Sequence, residues 1–195
     1  MRLVYILSVL CLLSLLSCNS NSQPDNQSKN LNKEADATAL PQSKLNDAGT
    51  QMLLSLVNHY YKMKNALVAT NATGADSAAS QMIPITDSLK VCLQKNNITQ
   101  TLQPYLDTIK GGSINMLSVQ DESCERKRIP FAAISSALFG LLKNADLKNT
   151  GIYRDYCPMA FNEKGAYWLS NESEIKNPYF GKKMVECGEI TDSLK

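Results

Sequence analysis

Sulfur gathers toward the C-terminus of this 195-residue chain, where Tyr156-Cys157-Pro158-Met159-Ala160 precedes Asn177-Pro178-Tyr179-Phe180-Gly181-Lys182-Lys183-Met184-Val185-Glu186-Cys187-Gly188. Two thiols and two thioethers among turn-forming residues could meet as one soft ligand set. Thiolate and thioether donors favour Cu(I), or its mimic Ag(I), whereas Zn²⁺ sites use Cys, His and carboxylate and seldom Met. The candidate ligands are therefore Cys157, Met159, Met184 and Cys187, and the candidate ion is Cu(I) or Ag(I). The same two cysteines could instead form a Cys157–Cys187 disulfide, closing a loop worth roughly 3–4 kcal/mol to a tail with little core of its own. In that case Met159 and Met184 would be fillers packed on Trp168, Tyr179 and Phe180. Residue chemistry alone leaves metal and disulfide open.

The elements that must position these sulfurs are a short hairpin and a helical scaffold. Ile152-Tyr153-Arg154-Asp155-Tyr156 and Ala166-Tyr167-Trp168-Leu169 have strand composition, with Asn162-Glu163-Lys164-Gly165 as the turn between them. This hairpin would place Cys157-Pro158-Met159 at its bend, and Asn177-Pro178 would turn the chain back to bring Met184 and Cys187 near.

Upstream, apolar residues recur at spacings of three and four, which predicts four helices. The first spans 46–69 with Asn46 or Asp47 as cap, and the second spans 75–95 with a bend at Pro84. Thr99 would cap the third, which Gly111-Gly112 would loosen or end unless Ile114, Met116, Leu117 and Val119 continue it, and the fourth falls within 121–144 with its regular part delayed by Pro130. Short turns between such segments predict a mainly α fold, an antiparallel four-helix bundle with a small C-terminal β-hairpin. In that geometry Cys92 and Cys124 stand at opposite ends of the third helix, too far apart to bond. Cys92 reads as a small core residue and Cys124 as a partly exposed thiol at a helix start.

At the N-terminus, Arg2 precedes an apolar run that ends at Leu15-Leu16-Ser17-Cys18. The run is too short to span a bilayer and reads as a cleaved signal peptide over 1–17. Its end resembles a bacterial lipobox, which implies lipid on Cys18. The polar stretch that follows lacks the apolar content to fold and reads as a tether over 18–45. The folded part then divides into a helical bundle over 46–148 and a Cys/Met hairpin module over 149–195 packed upon it. The expected location is the periplasmic face of a bacterial membrane, the outer membrane, held by the Cys18 lipid.

The formal charge of +2 offers no argument for nucleic acid. The one basic cluster, Arg126-Lys127-Arg128, follows Asp121, Glu122 and Glu125 and reads as a solvated helix face. Asp76, Asp87 and Asp107 read as solvated surface too. His59 is the only histidine, with no nucleophile placed beside it, and no phosphate loop, Cys-x-x-Cys or His-Glu-x-x-His occurs. These absences point away from an enzyme.

The run Tyr156-Cys157-Pro158-Met159-Ala160-Phe161-Asn162, with Gly165-Ala166-Tyr167-Trp168-Leu169-Ser170, Asn177-Pro178-Tyr179-Phe180-Gly181, Met184 and Cys187-Gly188, resembles the signature of an uncharacterised bacterial domain family. The resemblance extends to Tyr61-Lys62-Met63-Lys64-Asn65-Ala66-Leu67-Val68. That family occurs as periplasmic lipoproteins and as a domain joined to adaptor subunits of copper and silver efflux pumps. The resemblance implies heavy-metal handling outside the cytosol, with an efflux adaptor or another envelope protein as partner. Some relatives carry a His before the helix-four Phe. Here Pro130 precedes Phe131, so the resemblance leaves the metal to the tail sulfurs.

Overall fold

The structure, a computed structural model, describes residues 39–94 and 98–194. The signal peptide, Cys18 and most of the tether lie outside the described residues. Four long helices are followed by a small antiparallel sheet: α1 Asp47–Val68, α2 Ala72–Leu93, α3 Thr99–Ser118 and α4 Arg128–Asn144, then β1 Ile152–Cys157, β2 Ala166–Ser170 and β3 Glu189–Leu194. No described helix is long and apolar enough to cross a membrane.

Consecutive helices pack on one another, while α1 and α4 touch sparingly and β2 lies against both. The apolar stripes account for this core. Leu53, Leu56, Tyr60, Met63 and Leu67 of α1 are fully buried, as are Leu102, Leu106 and Ile109 of α3 and Phe131, Ile134, Leu138 and Leu141 of α4. Asn46 caps α1 by accepting from the Gly49 amide at 2.8 Å, and Asn71 caps α2 in the same way through Gly74. The packed body extends upstream of Asn46. Leu45 is buried, and Gln42 exchanges backbone hydrogen bonds with Lys148.

Several expectations are corrected here. Gly111-Gly112 does not end α3, which continues to Ser118. A Cβ on Gly112 would lie 2.6 Å from Ile134 Cγ1, so its bare backbone lets α3 and α4 approach closely. Thr99 is not the cap of α3 but its first residue, and its hydroxyl donates back to the Leu93 carbonyl at the end of α2. Helix α4 starts at Arg128, because Asp121 organises a turn instead: its carboxylate accepts from the Ser123 amide and hydroxyl and from the Arg126 amide. Those hydrogen bonds hold the Asp121 carboxyl below its usual range.

The basic cluster is not a solvated face. Lys127 is 1 % exposed and Arg128 6 %, although Arg126 does face solvent. The Lys127 ammonium sits 2.7 Å from Asp76 Oδ1 and donates to the Met116 and Val119 carbonyls at 3.0 and 2.6 Å. A cation there satisfies carbonyls left free at the end of α3 and faces the negative end of its dipole. Asp76 is thus a partner to a buried charge, while Asp87 pairs with Lys110 at 2.7 Å and Asp107 with Lys90 at 2.5 Å. Both cysteine placements also change. Cys124 is fully buried, at a positive φ of 62°, and Cys92 is only half-buried, its Sγ 3.7 Å from Asn46 Oδ1.

Candidate functional site

The hairpin forms as its composition predicts, with Asp155 opposite Trp168 and Cys157 opposite Ala166. A third strand, β3, pairs with the other edge of β1, making β1 central in the order β2-β1-β3. Cys157 is therefore the last residue of the central strand. It shares a face with Asp155, because side chains alternate along a strand. The connection to β2 is a left-handed turn in which Phe161, Asn162 and Glu163 all have positive φ, at 53°, 57° and 64°. Three such residues in succession store strain next to Met159.

The return of the tail is organised by Asn177, which is fully buried. Its Oδ1 accepts from the Tyr179 amide at 2.7 Å and the Phe180 amide at 3.3 Å. Its Nδ2 donates to the Cys187 carbonyl at 2.6 Å, and its own amide donates to the Val185 carbonyl at 2.7 Å. One side chain thus closes the loop that carries Met184 and Cys187. Arg128 ties this loop to the helices by donating to the carbonyls of Pro178, Ser123 and Leu67. Gly181, at φ 56°, lies against that guanidinium, where a Cβ would come 2.8 Å from Nη2. Gly188 follows Cys187 at φ 144°, flush against Trp168, so only glycine leads comfortably from the loop into β3.

These contacts bring three of the four sulfurs together. Cys157 Sγ and Cys187 Sγ are 2.8 Å apart, and Cys187 Sγ lies 3.9 Å from Met159 Sδ. Both thiols are free. Met184 instead lines a surface cleft of about 850 Å³ whose wall includes Met159, Phe161, Phe180 and Lys182. Exposure falls along the series, from 48 % at Met159 and 37 % at Met184 to none at Cys157. The hydrogen bond shared with Cys157, in which the protonated Cys187 thiol is the favoured form, and then burial push the Cys187 thiol up to about 11. At neutral pH such a thiol is a weak nucleophile.

Among the described residues no group of three or more His, Cys, Asp and Glu side chains could hold a metal ion. Two thiols with a thioether in contact suit a soft ion, and for that donor set Cys157, Cys187 and Met159 are the residues that fit. Cys92 and Cys124 keep to other partners, Asn46 and the Glu122 carbonyl. His59 remains on α1, where burial and then Lys62 lower its pKa.

A second cluster, not foreseen from residue types or spacing, joins α1 to β1. Lys64 of α1 and Asp155 of β1 are both fully buried, and neither the ammonium nor the carboxylate has a direct hydrogen-bond partner. Burial raises the Asp155 carboxyl to about 6 against an opposing pull from Lys64. A polar residue alternating within a strand resembles an exposed one, so nothing in the sequence separates Asp155 from a surface position.

Residues 56–150 match the model of a family described as a protein of unknown function (DUF3347). The match runs from within α1 to the residue before Gly151, so it covers the helices and stops short of the sulfur site. No curated protein and no solved structure matches the chain.

Proposed function

We propose that this protein is a periplasmic lipoprotein that binds a soft monovalent metal, Cu(I) or Ag(I), and buffers it or delivers it to export. Its four helices serve as an antiparallel stem, and the lipid on Cys18 ties it to the outer membrane. The observation that carries the reading is the contact of Cys157, Cys187 and Met159, three sulfurs drawn from the end of β1, the turn that follows it and the tail loop. Thiolate–thioether donation matches Cu(I) and Ag(I) and excludes the oxygen-loving ions. Because both thiols must give up their protons, loading releases protons and tightens as pH rises. The protein acts by binding, with an efflux adaptor or similar envelope protein as recipient, and performs no catalysis.

A second reading has its own support. The 2.8 Å approach of Cys157 to Cys187 also suits a dithiol ready to oxidise to a structural disulfide, in an envelope interaction module that holds no metal. The two are separated by counting thiols with and without reductant, then titrating the reduced full chain with Cu(I) or Ag(I). The metal reading expects tight uptake of one ion, lost in Cys157→Ser. No uptake by the reduced chain, or a Cys157–Cys187 bond that cellular reductants leave intact, leaves the staple.

A further inference from the structure

The sulfurs are graded by depth. Cys157 is sealed from solvent, Cys187 is half-buried above it, and Met159 and Met184 are the exposed members. The cleft that Met159 and Met184 share is lined by neither cysteine. An ion in solution therefore meets the thioethers first, and Met159 Sδ, 3.9 Å from Cys187 Sγ, is the link between cleft and dithiol.

Resting on the soft-metal reading above, we infer that Met159 and Met184 form a separate capture site in the cleft, which takes Cu(I) or Ag(I) from solution and passes it inward to Cys187 and Cys157. Thioethers carry no proton, so capture requires no acid–base step. Transfer then breaks the metal–thioether bond at Met184 and forms two metal–thiolate bonds. The two thiol protons leave to solvent and the ion keeps its +1 oxidation state. Met159 lines the cleft and lies 3.9 Å from Cys187 Sγ, so it can stay bound throughout. The position of the methionines supports this division. Met159 and Met184 are both exposed, at 48 % and 37 %, and both line the cleft that neither cysteine reaches. The strained turn at Phe161, Asn162 and Glu163 lies just beyond Met159, and Asn177 holds the Tyr179 and Phe180 amides before Met184 and the Cys187 carbonyl after it.

The test uses the full chain, Ag(I) as the probe and methionine labelled with ¹³C at its methyl. In a Cys157→Ser, Cys187→Ser variant, Ag(I) is expected to shift the Met159 and Met184 methyl signals, assigned by Met159→Leu and Met184→Leu, and to leave the buried methionines unmoved. In the chain with both cysteines, Met184→Leu is expected to slow loading by roughly an order of magnitude while leaving the end-point affinity nearly unchanged. Absence of both methyl shifts in the dithiol-free variant, while the reduced wild type still takes up Ag(I), overturns the capture site alone. Equal loading rates for Met184→Leu and wild type do so as well. If the reduced wild type takes up no Ag(I), the soft-metal reading itself fails.

Discussion

At the scale of single residues, Asn177 holds the loop that carries Cys187, and Asp155 sets a pH-dependent cost within the strand that ends at Cys157. Asn177→Ala leaves the Tyr179 amide and the Cys187 carbonyl without their buried partner. The expected loss is about 2–4 kcal/mol in urea unfolding, and the loop carrying Cys187 should show faster amide exchange. Asp155 works in the opposite sense. Its folded pKa of about 6 stands above the ordinary carboxyl value of 3.8, so the folded state holds the proton more tightly than the unfolded one. Stability from this group is present below about pH 4 and is lost as pH rises through 6. Asp155→Asn should therefore raise stability at pH 7 by roughly 1–3 kcal/mol, and thermal melts of the two proteins should converge near pH 4. The sulfur residues themselves were legible from type and spacing, and Asn177 was legible only as a turn former. Its hub role depends on which amides and carbonyls the fold brings round it, and a single sequence does not state that.

At the scale of elements, the helices were readable because burial imposes a period, and the misreadings fall where that period gives no guidance. From the sequence the fourth helix falls within 121–144 with a late regular start, and Arg126-Lys127-Arg128 reads as a solvated face; α4 begins at Arg128. The side chain of Asp121 bonds the amides of its own turn instead, and Lys127 and Arg128 fold inward to carbonyls at the ends of α3 and α1. Strand β3 was missed for the converse reason. Its residues are exposed or half-buried, and it holds its place by pairing with β1 rather than by apolar packing. The buried contacts of Lys127 give the element-scale prediction. Lys127→Met removes the charge facing Asp76 and frees the Met116 and Val119 carbonyls. The protein should lose about 2–4 kcal/mol, read from the urea midpoint, whereas Arg126→Met on the exposed neighbour should change little.

At the scale of the molecule, the sheet is locked to the helices through a chain of buried hydrogen bonds, so under the proposed soft-metal reading loading of the tail would be joined to global stability. The Leu169 amide of β2 donates to the Tyr60 hydroxyl at 3.0 Å, Tyr60 lies 2.8 Å from Ser135 Oγ, and Ser135 donates to the Phe131 carbonyl at 2.9 Å. Tyr60 also stacks on Phe131, which contacts Tyr179 of the tail loop. With Arg128 bridging Pro178 to Leu67, the tail cannot open without disturbing α1 and α4. An ion that binds only the closed tail must then stabilise the whole described body by RT ln(1 + [L]/Kd). At free Ag(I) about a hundredfold above Kd this is about 2.7 kcal/mol, which for a body of this size corresponds to a rise in melting temperature of roughly 5–10 °C. The reduced wild type should show that rise, and Cys157→Ser should show little of it. Tyr60→Phe should begin from a lower melting temperature, since it leaves the Leu169 amide unpaired, yet keep most of the Ag(I)-dependent increment because every sulfur ligand remains. A local tail transition under Ag(I), with the main unfolding transition unmoved, would mean that the tail opens independently of the helices.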